Sequence, residues 1–297
     1  MVELYAPDLE DLRANGVTVA GVARPVHLIL MGDHSFTTSF DGHAGATCHF
    51  LCCYCCCLAR LTAATKKLLP NFADYGTLQD GSRAGRVPCT IFHMSVMATL
   101  YANGPLATLL DPPSVSIALS YERRPLVVFA PKDIVPMPLH ITSGVSPWML
   151  SLGVEAVAFD LGAARAEKYA AALTTALRLN VGVSRTPYWR GTFAGRACDK
   201  IGRRLAAVCD VFDGFVPPAR TAAHRRACEL WAKLQPALNR AATFEAPERA
   251  TFRRQATEFV DLLRSSFEWE SITRKLHILA CHAADWLDRY GSLGQFA

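Results

Sequence analysis

The 297-residue sequence contains neither a long apolar run nor a strong excess of charge of one sign. Its longest apolar segments, at 48–58 and 126–130, fall far short of the roughly 20 residues that a membrane-spanning helix needs. The N-terminus, MVELYAPDLEDLR, is acidic and lacks the apolar core of a secretory signal. We therefore expect a soluble, intracellular protein without a membrane segment.

Charge and composition leave most globular classes open. Charged residues make up 19% of the chain and hydrophobic residues 51%, which is enough to bury the core of one or two domains. A net charge of +5 permits a polyanionic partner without requiring one. No fixed-period repeat is present, and the only biased segment is rich in cysteine.

The hydrophobic pattern predicts a mainly α protein with a small β component. The branched run VHLILM predicts a strand at 26–31, and PLVVFAP predicts another at 125–131, followed by a proline-rich turn, IVPMPLH. Helical periodicity covers most of the second half. The predicted helices span 58–69, 94–110, 139–159, 164–179, 197–211, 219–242, 248–266 and 272–290.

Cysteine is abundant, but its placement argues against a disulfide scaffold. Six of the eleven cysteines lie between Cys48 and Cys57, where adjacent thiols cannot all pair across a fold. Within this cluster, Cys52 and Cys55 form a C-x2-C pair, a spacing that lets two thiolates face one tetrahedral zinc ion. Reduced thiols or a metal site fit this segment better than disulfides.

Two histidines far downstream complete a possible Cys2His2 set. Five positions on a continuous helix advance by about 500°, so the rings of His277 and His282 reach one ion only if the helix distorts or begins there. The spacing leaves alternatives open. Cys53 with Cys56, or Cys48 with His49, could serve in place of Cys52 and Cys55. All four residues could instead be ordinary core side chains.

The order of several short motifs resembles a known family. A strand ending in Gly-Asp is followed by GHAGAT…CCYC, VPMPLHI, YWRGTFAGRACDK and KLHILACHAADWLDRYGSLG. From about residue 25 to the C-terminus, this series resembles the Transib-type cut-and-paste transposases and the catalytic subunit of the vertebrate V(D)J recombinase. The resemblance depends on the order and spacing of these motifs.

The resemblance implies an RNase H-like α/β core, here incomplete, with a large helical zinc-binding insertion. The implied domains are a partial core with the cysteine-rich segment at 1–160 and a helical insertion at 161–297. The family's zinc ligands correspond to Cys52, Cys55, His277 and His282, the same four residues that spacing nominates. The resemblance also implies DNA as a partner, a nuclear location and a possible homodimer.

The family cleaves and joins DNA strands with two divalent cations held by three carboxylates, and this chain departs from that pattern. The second acid corresponds to Met137, whose thioether does not ligate Mg²⁺ usefully. The third acid is expected past Ala297, and only Asp8, Glu10 and Asp11 lie upstream of the first strand, in a predicted short helix. Asp33 and Asp133 are the candidate substitutes.

A basic segment is the candidate nucleic-acid surface. Between Arg185 and Arg226 there are nine Lys or Arg residues and three Asp residues. Interleaved aromatic and basic side chains can hold phosphates and pack against sugar or base. A solvated helix face beside a packed aromatic loop explains the same pattern equally well. The candidate DNA contacts are Arg185, Tyr188, Trp189, Arg190, Arg196, Lys200, Arg203 and Arg204.

Three functional hypotheses follow. The first is a transposase-derived DNA-binding protein fragment with structural Zn²⁺ and no cleavage activity of its own. The second is an active transposase or nuclease that uses Mg²⁺ or Mn²⁺, with its missing acids supplied by Asp33, Asp133 or a partner chain. The third is a helical interaction protein that binds neither metal nor DNA.

Overall fold

The computed structural model describes residues 2–32, 37, 52, 54, 55, 129, 133–184, 193, 195–213, 215, 217–267 and 273–296. The chain divides into two compact units, residues 1–136 and residues 137–297. The described residues are mainly helical with a small β component, so the predicted fold class is confirmed at that level. The predicted boundary at residue 160 lies near the end of a helix of the second unit.

The first unit begins with a helix and a β-hairpin. Helix α1 spans Val2–Asn15, and strands β1 (Val17–Val19) and β2 (Val22–Arg24) pair antiparallel. Both residues of the connecting turn have positive φ, 51° at Ala20 and 77° at Gly21. This is the type I′ turn whose twist matches that of a hairpin. The hairpin was not predicted, because its strands are only three residues long.

A second, parallel strand pair corrects two predictions. Strand β3 (Leu30–Gly32) pairs with β4 (Ile134–Pro136). The observed strand is shorter than the one predicted at 26–31 and begins later in the chain. It is short because its partner strand is only three residues long. The IVP segment, predicted as a turn, is a strand whose Ile134 and Val135 are fully buried. Of the strand predicted at 125–131, only Phe129 is described, and it is not in a strand.

The second unit consists of helices. The predicted helices at 58–69 and 94–110 lie outside the described residues. Of the six predicted from 139 onward, five are present with shifted ends, and the one predicted at 272–290 is divided into two helices at His282. A five-residue π-helical turn spans Leu177–Val181, and a 3-10 turn spans Cys209–Phe212. The helices are α2 (Pro138–Leu161), α3 (Ala163–Ala176), α4 (Gly195–Val208), α5 (Pro218–Leu238), α6 (Ala246–Ser266), α7 (Arg274–Cys281) and α8 (Ala283–Tyr290).

The core of this unit lies where α2, α4, α5 and α6 meet. The Trp231 indole stacks on Phe259 with ring centroids 5.8 Å apart, and its Nε1 donates to Ser146 Oγ at 3.0 Å. A Cβ on Gly202 would lie 2.8 Å from Ser146 Oγ and 3.2 Å from Trp231 Nε1. Because position 202 has no side chain, α4 can approach α2 and α5 closely.

An aromatic cluster surrounds a buried histidine nearby. His224 is 3% exposed, and its ring lies 4.4 Å from the Phe212 ring, centroid to centroid. Its Nε2 lies 3.4 Å from the Met149 carbonyl, and its Nδ1 lies 3.8 Å from Cys228 Sγ. His224 is therefore a core histidine whose polar atoms have polar neighbours.

None of the described helices is both long enough and apolar enough to cross a membrane.

Candidate metal centre

The two histidines lie at a break between two short helices. Thr273 caps α7, where its side chain accepts a hydrogen bond from the Leu276 N–H, and the helix ends at Cys281. His282 has φ −125° and ψ −32°, and α8 begins at Ala283. The distortion that the His277–His282 spacing requires is therefore present. It rotates the His282 ring towards His277, which an unbroken helix would not do.

The His277 and His282 side chains meet through their ring nitrogens. Their Nε2 atoms are 3.3 Å apart, and the two rings are inclined at 78°. His277 is 6% exposed. Such an approach has two chemical explanations: one ring donates an N–H to the other, or both nitrogens direct lone pairs at a shared cation.

Two buried thiols complete the site. Cys52 and Cys55 are each 3% exposed and are not in disulfides. The two sulfur atoms and one nitrogen of each histidine all lie within 4.8 Å of one another. Among the described residues this is the one group of at least three possible metal ligands. The alternative ligands Cys48, His49, Cys53 and Cys56 lie outside the described residues.

The donor set matches zinc. Two thiolates and two imidazoles form a closed Cys2His2 set of the structural type, with borderline-soft ligands that suit Zn²⁺ better than Mg²⁺ or Ca²⁺. Two nitrogens bound at about 2.05 Å to one tetrahedral zinc ion lie about 3.3 Å apart. This matches the Nε2–Nε2 distance of 3.3 Å in the structure. The four residues could therefore hold a metal ion such as zinc.

A lysine beside the histidines joins α7 to its neighbours. A Cβ on Gly144 of α2 would overlap the Lys275 side chain, so the lysine lies across the glycine. Burial lowers the pKa of Lys275, and the nearby charge of Arg274 lowers it further.

Burial raises the pKa of Cys198 on α4 to about 11. Its Sγ lies 3.1 Å from the Phe193 carbonyl, so Cys198 is a protonated core thiol.

The candidate catalytic acids show no carboxylate cluster in the described part of the chain. Asp133 precedes β4 and pairs with His27, with Nε2 3.2 Å from Oδ1. Met137 precedes α2 with extended backbone. Glu10 and Asp11 lie on α1, where they bond to Arg13 and Asn15. Asp33 lies outside the described residues.

Four of the eight candidate DNA-contacting residues are described, and all four are exposed on α4. Arg196, Lys200, Arg203 and Arg204 are spaced at i, i+4, i+7 and i+8, so they share one helix face. The opposite face buries Cys198, Ile201, Leu205 and Val208. The other four candidates, Arg185, Tyr188, Trp189 and Arg190, lie outside the described residues.

Local contacts orient two of these cations. Arg203 donates to Asp199 at 3.0 Å, one turn earlier on the same helix. Arg204 donates to the carbonyl of Asn180 at 2.8 Å, in the π-helical turn. Within the described part of the chain, Arg196, Lys200 and Arg204 form no ion pair with a carboxylate. The exposed face of α4 therefore carries an excess of positive charge.

No protein-family model matches the chain, and no curated protein matches it.

Proposed function

We propose that this chain is a transposase-derived DNA-binding protein whose fold includes one structural zinc ion and which does not cleave DNA itself. The observation that supports this most is the convergence of Cys52, Cys55, His277 and His282. The ligand spacing includes these four residues among its candidates, and the family resemblance selects the same four. They come from two stretches of the chain more than 200 residues apart.

In this proposal the zinc ion is structural. Both cysteines and His277 are buried, and four protein donors leave no open position for a substrate or a water molecule. A bound ion would close a loop of more than 200 residues, which is worth on the order of 5 kcal/mol of chain entropy. Because the ligands must be deprotonated and brought together, metal binding would be coupled to folding.

The proposed DNA surface is the exposed face of α4. Arginine and lysine side chains contact phosphates without reading sequence, so binding should be sequence-independent and should weaken steeply with salt. Lys200 is the most suitable residue to substitute in a test of this surface. Replacing Arg203 or Arg204 would also remove a hydrogen bond within the protein, to Asp199 or to Asn180. RNase H-like ancestry and a nuclear location belong to the same proposal.

The absence of cleavage is proposed on two residues. Met137 occupies the position of the family's second acid and offers no oxygen to a divalent cation. Asp133, the nearest described substitute, already pairs with His27. Nicking of supercoiled DNA by purified protein with Mg²⁺ or Mn²⁺, abolished by Asp133→Ala, would contradict this part of the proposal.

The DNA-binding part is tested by fluorescence anisotropy with a labelled duplex over a range of salt concentrations. We expect the dissociation constant to rise steeply with salt. Lys200→Ala should reduce the slope of log Kd against log salt by about 1, the loss of one phosphate contact. Lys233→Ala is the matched control, because Lys233 is an exposed lysine on α5, outside the α4 surface. No salt-dependent binding by the unchanged protein would contradict the proposal.

A further inference from the structure

Leu179 is the most exposed large hydrophobic side chain in the described part of the second unit, at 71%. Single exposed leucines are common on protein surfaces and carry no meaning by themselves. Leu179 differs because its backbone is held in a defined position and cations flank it. Its neighbour Arg178 is exposed on the same turn.

The π-helical turn holds this leucine outward. Leu177 and Val181, at the two ends of the turn, are buried at 4% and 5% exposure, so both ends are anchored in the core. Gly182 ends the turn in the left-handed region, at φ 67°, and its N–H donates to the Leu177 carbonyl. Between these anchors, Arg178, Leu179 and Asn180 all face solvent.

The turn is also attached to the basic face of α4. Arg204 donates to the Asn180 carbonyl, one residue after Leu179. An apolar side chain therefore projects from a fixed turn, with Arg178 before it and an α4 cation bound just after it. This combination matches the way in which DNA-binding proteins insert an apolar wedge between base pairs while arginines hold the adjacent phosphates.

We infer that Leu179 inserts at a base step of duplex DNA held on the α4 face and partly unstacks it. The inference rests on the proposed DNA binding and adds a mode of binding to it. Partial unstacking costs least at flexible pyrimidine–purine steps and at mismatches. The protein should therefore prefer a mismatched duplex to a matched one, although its phosphate contacts do not read sequence.

The test uses a short duplex that carries 2-aminopurine at a central TA step, whose fluorescence rises when the base unstacks. A second duplex carries a central mismatch, and both are titrated with the full chain. The unchanged protein should raise the fluorescence and should bind the mismatched duplex more tightly. Leu179→Ala should lose most of the fluorescence rise and bind the mismatched duplex roughly five- to tenfold more weakly. Its salt dependence should be unchanged.

Two further variants serve as controls. Leu179→Met keeps an apolar wedge and should retain the fluorescence rise. Leu161→Ala removes another exposed leucine, at the end of α2 and away from the π-helical turn, and should behave like the unchanged protein.

Each alternative outcome has a separate meaning. Salt-dependent binding without any fluorescence rise, or an equal rise with Leu179→Ala, would overturn the wedge and leave the proposed DNA binding intact. No binding to either duplex would overturn both.

Discussion

Gly202 determines how closely three helices approach one another in the second unit. Ser146 Oγ, Gln235 Cγ and Trp231 Nε1 all lie within 3.2 Å of the position that a Cβ at residue 202 would occupy. None of the three can easily move away. Ser146 and Trp231 bond to each other, and Gln235 donates to Asp199. A methyl group at this position would have to displace a hydrogen-bonded, buried group.

We therefore expect Gly202→Ala to destabilise the protein through overpacking by ~1–3 kcal/mol. Thermal unfolding followed by circular dichroism should show Tm falling by roughly 3–10 °C. Gly195→Ala is the control on the same helix, because a Cβ there meets no atom within 4 Å. An unchanged Tm for Gly202→Ala would mean that the three helices are less closely packed than described.

Glu248 stabilises the start of α6 in two ways. Its carboxylate accepts from the Glu245 backbone N–H at 2.8 Å, which completes a capping box, and from Arg240 at 2.6 Å. The Arg240 hydrogen bond, followed by the backbone one, lowers the pKa of Glu248 from its ordinary value of 4.5. The folded state therefore favours the ionised form.

A lowered folded-state pKa contributes stability above the unfolded-state pKa, and this contribution is lost as pH falls through the folded-state pKa. We expect Glu248→Gln to lower Tm at neutral pH and the difference from the unchanged protein to shrink below about pH 4. Glu167→Gln, on the exposed face of α3, is the control. A Tm difference that stayed constant from neutral to acid pH would contradict the assigned role.

At the scale of elements, α6 and α8 are joined by a cluster of exposed ion pairs. Arg253 donates to Asp285 at 2.9 Å and to Asp288 at 2.6 Å, and Arg249 also donates to Asp288, at 2.9 Å. Because α8 begins directly after His282, these pairs hold the helix that follows the candidate metal ligand. Exposed pairs contribute little singly, but a guanidinium shared by two carboxylates contributes more.

A double-mutant cycle of Arg253→Ala and Asp288→Ala measures this connection. We expect a coupling free energy of roughly 0.5–1 kcal/mol from denaturant unfolding, falling in high salt. The same cycle with Arg253→Ala and Asp261→Ala is the control, because Asp261 pairs with Arg264 instead. A coupling of zero for Arg253 and Asp288 would show that this ion pair does not help to hold the two helices together.

Some of the helices and strands could be predicted from the sequence, and others could not. Apolar periodicity predicted the helices of the second unit, because each buries one face against its neighbours. A continuous helix was predicted at 272–290, although a metal ion shared by His277 and His282 would require it to distort or begin there, and the structure breaks this helix at His282. The short strands and the hairpin were missed or shifted, since three paired residues are too few for alternation to show. The π-helical turn was predicted as plain helix, because one extra residue in a turn leaves no periodic signal.

For the whole molecule, the candidate metal site joins two distant stretches of the chain, and its four residues were predicted from ligand spacing together with the family resemblance. Spacing nominated a cysteine pair and a histidine pair but left other cysteines open as ligands. The choice of Cys52 and Cys55 depends on contacts across more than 200 residues of chain. The basic segment was predicted as a surface, and its described cations are exposed on α4.

The most direct test of this account is the zinc content per chain, measured by elemental analysis of purified, folded protein. We predict one zinc ion per chain, lost in Cys52→Ser and in His282→Ala together with a lower Tm. A Cys53→Ser, Cys56→Ser double variant removes the alternative cysteine pair and should keep the zinc ion. His140→Ala removes a histidine of α2 that is not among the four candidate ligands and should also keep it. Folded protein without zinc, or zinc retained in Cys52→Ser and lost in the double variant, would contradict the assigned ligands.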